Sequence, residues 1–103
     1  MSIKSHHTNS VNMEVVQTLT FAKVVRKLHR NQKDDLDKAV RSIINDTNIG
    51  DLKVGDLAGI RVYKFKMVAQ LTLLAYTYRS DSILLTLLAL GSHENFYRDL
   101  KSL

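Results

Sequence analysis

Three runs rich in aliphatic, β-branched and aromatic residues, at residues 60–67, 71–78 and 82–90, lie so close together that only hairpins can join them. They predict an antiparallel meander. Strands of this kind bury one face only against another layer, so the rest of the chain has to supply that layer. From Phe21 the period changes: Phe21, Val24, Val25 and Leu28 recur at helical spacing, with Lys23, Arg26, Lys27 and Arg30 on the opposite side. A second helical stripe follows in Leu36, Val40, Ile43 and Ile44, with Asp34, Asp35 and Asp37 expected in its first turn, where they complement the helix dipole. A polar turn at residues 31–33 joins the two, and the second helix should end near residues 48–50. The segment DLKVGDLAG, residues 51–59, reads as a glycine-punctuated loop. Ahead of the helices, residues 13–20 alternate as a short strand does, Val15 and Gln17 on one side, Val16 and Thr18 on the other. Gly91 ends the last strand, and HENFYRDLKSL forms a final helix with His93, Phe96, Tyr97 and Leu100 on one side. The fold class is therefore α+β, in the order β-α-α-β-β-β-α, a helical hairpin packed on a small, mainly antiparallel sheet. The first strand joins this sheet at its edge or in its middle, and the pattern leaves both open.

With 103 residues there is room for one core. Residues 1–12, polar and without an apolar centre, are expected as a tail, His6 and His7 solvated within it, and residues 13–103 as the domain. There is no cysteine, which excludes disulfides, thiolate metal sites and a cysteine nucleophile, and suits a reducing cytoplasm. The longest apolar run, residues 83–90, is far shorter than the roughly 20 residues a membrane helix needs. Cytoplasmic residence without membrane contact is the expectation. Neither a carboxylate or histidine cluster nor a Gly-rich phosphate loop is legible, so neither metal nor cofactor is expected. Fifteen Lys and Arg against ten Asp and Glu give +5 and a pI near 9.6, which favours a polyanionic partner: nucleic acid, an anionic surface or an acidic protein.

Taken singly, the residues that carry chemistry have two readings each. Arg61 on a half-buried strand offers a phosphate fork, or a structural ion pair with Asp51, Asp56 or Glu94. His93 after the last strand is a proton carrier or a polar cap. Tyr97, four residues on, is a stacking platform or a core aromatic. The basic stripe of the first helix is a solvated face, or a contact for nucleic acid or a protein partner.

Two segments together, Gly59-Ile60-Arg61 at the opening of the first meander strand and LALGSHENFYRDLK at residues 88–101, resemble the RelE/ParE superfamily of toxins from bacterial type II toxin–antitoxin systems. The likeness extends over residues 13–101. It implies a RelE-like fold, a cognate antitoxin protein as partner, and in the RNA-cutting members action on mRNA at the ribosome. Carried over residue by residue, it implies catalytic roles for Arg61, His93 and Tyr97 and RNA contacts from Lys53, Lys64, Lys66, Phe96 and Arg98. Cleavage in such toxins proceeds without metal by attack of a 2′-hydroxyl on the adjacent phosphate. That chemistry needs a base, a cation for the phosphorane and an acid for the leaving 5′-oxygen. Histidine, with a pKa of about 6.5, suits proton transfer; arginine suits charge neutralisation. No histidine stands between His29 and His93, a departure from some relatives that leaves the general base unassigned. The resemblance also implies alternatives: ParE-like members inhibit DNA gyrase and lack the catalytic histidine and aromatic, and a non-enzymatic basic binding module would carry the same charge.

Overall fold

The computed structural model describes residues 12–102, the side chains of residues 93–95 excepted. The expected tail, with His6 and His7, lies outside the described residues apart from Asn12. The elements are β1 Glu14–Gln17, α1 Leu19–Arg26, α2 Arg30–Asn45, β2 Asp51–Leu52, β3 Arg61–Met67, β4 Gln70–Arg79, β5 Leu84–Gly91 and α3 His93–Lys101, with a 3-10 turn at Gly55–Leu57. The sheet order is β1-β5-β4-β3-β2. β1 therefore joins at the edge, parallel to β5, while β2, β3, β4 and β5 pair antiparallel as a meander.

The helices cover both faces of this sheet. On one, α1 and α2 bury Phe21, Val25, Leu36, Val40 and Ile43 against Leu74, Tyr76, Leu85 and Leu87. On the other, Phe96 and Leu100 of α3 pack on Val62, Leu73, Ala75 and Ala89. These are called the hairpin face and the α3 face below. Burying Phe96 and Leu100 stabilises the α3 docking by about 1.5–3 kcal/mol each.

Local hydrogen bonds move several boundaries from where periodicity puts them. β1 stops at Gln17 because Thr18 caps α1: its Oγ1 accepts the Phe21 N–H at 3.1 Å and donates to the Leu88 carbonyl at 2.6 Å. That carbonyl is accessible because β5 bulges at Leu88, between the Ala75–Ala89 and Tyr76–Leu87 pairs. The turn between the helices falls at residues 27–29 instead of 31–33. There the Gln32 side chain accepts the His29 N–H at 2.7 Å and starts α2 at Arg30. Asp34, Asp35 and Asp37 consequently sit beyond the first turn of α2. Asp35 instead accepts the Val68 N–H at 2.7 Å, tying α2 to the tip of the β3–β4 hairpin. That tip, Val68-Ala69, has φ of +50° and +68°, the left-handed pair of a two-residue turn that normally selects Asn-Gly. The second helix ends at Asn45, and the expected loop contains the two-residue β2.

Candidate functional site

The two faces of β3 differ by parity. Val62 packs under α3, so Lys64 and Lys66 share the α3 face, and both are exposed. Arg61, Tyr63, Phe65 and Met67 take the hairpin face, Arg61 lying opposite Tyr76 in register. β2 continues the arrangement: Asp51 lies opposite Val62 and Leu52 opposite Arg61, and the Lys53 N–H donates to the Ile60 carbonyl at 2.9 Å, extending the ladder by one residue. Alternation then returns Lys53 to the α3 face, where its Nζ stands 5.9 Å from the centroid of the Tyr97 ring, within cation–π range.

Tyr97 is half-buried and meets Phe96 edge to face, with centroids 5.1 Å apart and planes at 87°. Phe96 itself is 2% exposed. The expectation that Phe96 contacts RNA is corrected here: its ring is the wedge that seats α3 on Val62 and Leu73, and burial withholds it from a ligand. Arg98, two residues further along α3, is exposed on the side turned from the sheet. His93 is the first residue of α3, and its side chain lies outside the described residues. Its backbone start follows Gly91, which pairs with Leu73, itself the partner of Lys64. α3 thus begins over the row that holds Lys64, and its length returns Tyr97 toward Lys53.

Arg61 belongs to a different construction. Its Nη1 donates to the Gly50 carbonyl at 2.8 Å and the Asn48 carbonyl at 3.3 Å. Tyr76, opposite it, donates its hydroxyl to the Thr47 carbonyl at 2.8 Å and accepts the Gly50 N–H at 3.0 Å. Burial raises the Tyr76 pKa above 10.0, against the opposing pull of the Gly50 N–H and the Arg61 charge. Gly50 is buried so tightly that a Cβ would stand 2.9 Å from the Tyr76 ring and 3.1 Å from the Val62 carbonyl carbon. Arg61 and Tyr76 thus pin the loop after α2, and beside them opens a cavity of about 430 Å³ lined by Thr47, Asn48, Leu52, Gly59, Tyr78 and Ser80. The structure does not bring Arg61 together with Tyr97; the sheet separates them. Among the described residues Arg61 has no ion pair: Asp51 stands on the α3 face, and the Asn48 and Gly50 carbonyls accept from the guanidinium.

The α3 face therefore gathers Lys53, Lys64, Lys66 and Tyr97, with His93 at the head of its helix. Such a surface can hold a phosphate by several ammonium groups and a base by an aromatic ring. Among the described residues no group of three or more His, Asp or Glu is placed to hold a metal ion, and no helix is long and apolar enough to cross a membrane.

A family model described as the ParE-like toxin of type II bacterial toxin–antitoxin systems matches residues 15–101. The chain belongs to this family. The toxin matches no curated protein, but solved structures share its fold. The E. coli RelE toxin in its RelBE toxin–antitoxin complex is 19% identical, covers 78% of this chain and 95% of its own, and superposes with a TM-score of 0.63. A double-arginine mutant of E. coli RelE in the free state is 16% identical over 85% of this chain and 88% of its own, with a TM-score of 0.66. The toxin thus has the RelE-like α+β fold expected of it, with three helices on a five-stranded sheet among the described residues.

Proposed function

We propose that this toxin is an endoribonuclease that cleaves mRNA at the ribosome, using the α3 face. The observation that carries the reading is the Lys53 ammonium over the Tyr97 ring, on the same face as exposed Lys64 and Lys66. Lys53, beside Tyr97, supplies positive charge to the phosphorane, the role the resemblance implied for Arg61, while Lys64 and Lys66 hold neighbouring phosphates further along β3. Tyr97 stacks on a base beside the scissile phosphate. The 2′-hydroxyl passes its proton to solvent water as its oxygen bonds to phosphorus and closes a 2′,3′-cyclic phosphate, while the P–O5′ bond breaks and His93, at the start of α3, gives a proton to the leaving 5′-oxygen. Metal has no part in these steps. The fold's occurrence in RelE bound to the RelB antitoxin supports a protein antitoxin as the partner that restrains the activity.

The test uses purified ribosomes programmed with a defined mRNA and the intact toxin. Cleavage in the A site is expected, with His93→Ala and Tyr97→Ala each lowering the rate by about 10²–10⁴, the range for losing a proton carrier or a positioning group. Lys53→Ala is expected to lower cleavage more than Arg61→Met does once stability is matched, because Arg61 acts on the other side of the sheet. Intact mRNA accompanied by inhibition of DNA gyrase supercoiling would sink the proposal. That second reading is favoured by one observation, the withdrawal of Arg61 from the α3 face into bonds with Asn48 and Gly50.

A further inference from the structure

Arg61 carries a charge that the fold leaves unneutralised. Its Nη1 donates to the Gly50 and Asn48 carbonyls, at 2.8 and 3.3 Å, and both acceptors are neutral. The Nε and Nη2 edge of the guanidinium has no hydrogen bond or ion pair with any described residue, and such an edge can grip an oxyanion through two parallel bonds. The two carbonyls already hold the half-buried side chain in place, so little rotamer freedom remains to be lost when a ligand arrives.

The cavity of about 430 Å³ that Arg61 lines is built to match. No Asp or Glu lines it. The acids that flank its walls in sequence are turned elsewhere: Asp46 accepts the Asn48 N–H at 3.2 Å, Asp51 stands on the α3 face, and Asp81 pairs with Arg79 at 3.1 Å. Thr47, Ser80 and Tyr78 bring hydroxyls to the cavity and Asn48 an amide, none of which bonds another described side chain or carbonyl. The remaining wall is apolar. Leu52, opposite Arg61 in the β2–β3 pair, is 56% exposed, and Tyr78 adds its ring. Gly59, at φ +87°, adds no side chain, and a Cβ there would have nothing within 4 Å.

These walls select among anions. A carboxylate would spend both oxygens on the guanidinium and leave the hydroxyls and the amide without an acceptor. A phosphodiester inside a nucleic-acid strand likewise offers two free oxygens and a single charge. A phosphomonoester brings a third oxygen and about 1.5–2 negative charges near neutral pH. We propose that this cavity binds a nucleoside monophosphate, its phosphate on Arg61 and its base against Leu52 and Tyr78. The site lies on the hairpin face, across the sheet from Lys53 and Tyr97, and does not depend on how the toxin acts on RNA.

The test titrates the intact, isotope-labelled toxin with adenosine 5′-monophosphate and follows its backbone amides by NMR. Saturable shifts at Asn48, Gly50, Leu52 and Ser80 are expected, with a Kd of about 1 mM or tighter. Adenosine and inorganic phosphate, each carrying half of the ligand, should bind at least about tenfold more weakly. Arg61→Met should abolish binding, but it also removes two bonds to the loop. Leu52→Glu separates the two effects: it sets a carboxylate beside the guanidinium at an exposed position, so affinity should fall at least about tenfold while the urea midpoint holds. The absence of saturable shifts up to about 10 mM overturns the proposal. So do shifts confined to Lys53, Lys64 and Tyr97, which would put the nucleotide on the α3 face. Adenosine binding as tightly as its monophosphate would overturn the phosphate assignment, and inorganic phosphate doing so would overturn the nucleoside. Equal affinity for an oligonucleotide without terminal phosphates would overturn the choice of a free monoester.

Discussion

Replacing Tyr76 by Phe tests the loop clamp with the loss of one oxygen atom. The ring is fully buried, so Phe fills the same space, and the change falls on two backbone groups. The Gly50 N–H, buried, loses its acceptor, and the Thr47 carbonyl, half-buried, loses its donor. An orphaned buried group costs about 1–3 kcal/mol, and a half-buried one less because water reaches it, so the total is about 2–4 kcal/mol. For a domain of this size each kcal/mol lowers Tm by about 4–8 °C, which predicts a drop of about 10 °C or more. Urea unfolding followed by circular dichroism should show a lower midpoint with an unchanged m-value. Because Arg61 bonds the carbonyl of Gly50 while Tyr76 bonds its N–H, a double-mutant cycle with Arg61→Met should show coupling of about 0.5–3 kcal/mol. A Tyr76→Phe loss below about 0.5 kcal/mol, with additive effects in the cycle, would refute the clamp, since surface-like substitutions fall in that range.

The same tyrosine predicts a pH dependence. Its folded pKa is raised above 10.0, so the native state holds the phenol proton more tightly than the unfolded chain. The resulting stability is fully present below pH 10.0 and is lost as pH rises through the folded value; a denaturation series from pH 9 to 11 should fall for the wild type and run flatter for Tyr76→Phe. Val68→Asn with Ala69→Gly should raise stability by about 1–2 kcal/mol, since each wild-type residue holds a left-handed conformation that Asn and Gly adopt readily; an unchanged urea midpoint would contradict this. Thr18→Ala should cost about 1–2 kcal/mol through loss of the α1 cap, seen as a lower urea midpoint. Gly50→Ala should cost about 1–3 kcal/mol because its methyl meets the Tyr76 ring, and restoring room with Tyr76→Leu should make the second change less costly than it is alone.

The meander was legible because three long runs with short breaks leave few alternatives, and the opposed apolar stripes of α1 and α2 were legible for the same reason of length. Boundaries were not, because capping decides them. Thr18 reads as a strand residue until its hydroxyl is seen to accept from Phe21, and Gln32 gives no periodic signal that α2 begins at Arg30. β2, two residues long, is too short to leave a pattern. Within the site, parity already separated Arg61 from Lys64 and Lys66, since strand neighbours of odd and even number point to opposite faces. What parity could not tell was which face α3 would cover, as that depends on how the chain turns after Gly91. The approach of Lys53 to Tyr97 was equally hidden, because the loop between Leu52 and Arg61 turns at Gly55 and Gly59, both at positive φ.

The parallel pairing of β1 with β5 carries a consequence for how the protein is made. Glu14 takes Leu84 as its partner, and Gln17 takes Leu87, so the first strand to leave the ribosome waits for the last. α1 and α2 emerge early, but the sheet their apolar stripes require arrives only with β3, β4 and β5. Non-local closure of this kind is slow and withholds the native sheet until β5 is available. A nascent or truncated chain that ends before Leu84 lacks both the partner of β1 and the helix that bears Tyr97, so neither the sheet nor the α3 face can be completed until β5 and α3 have been made.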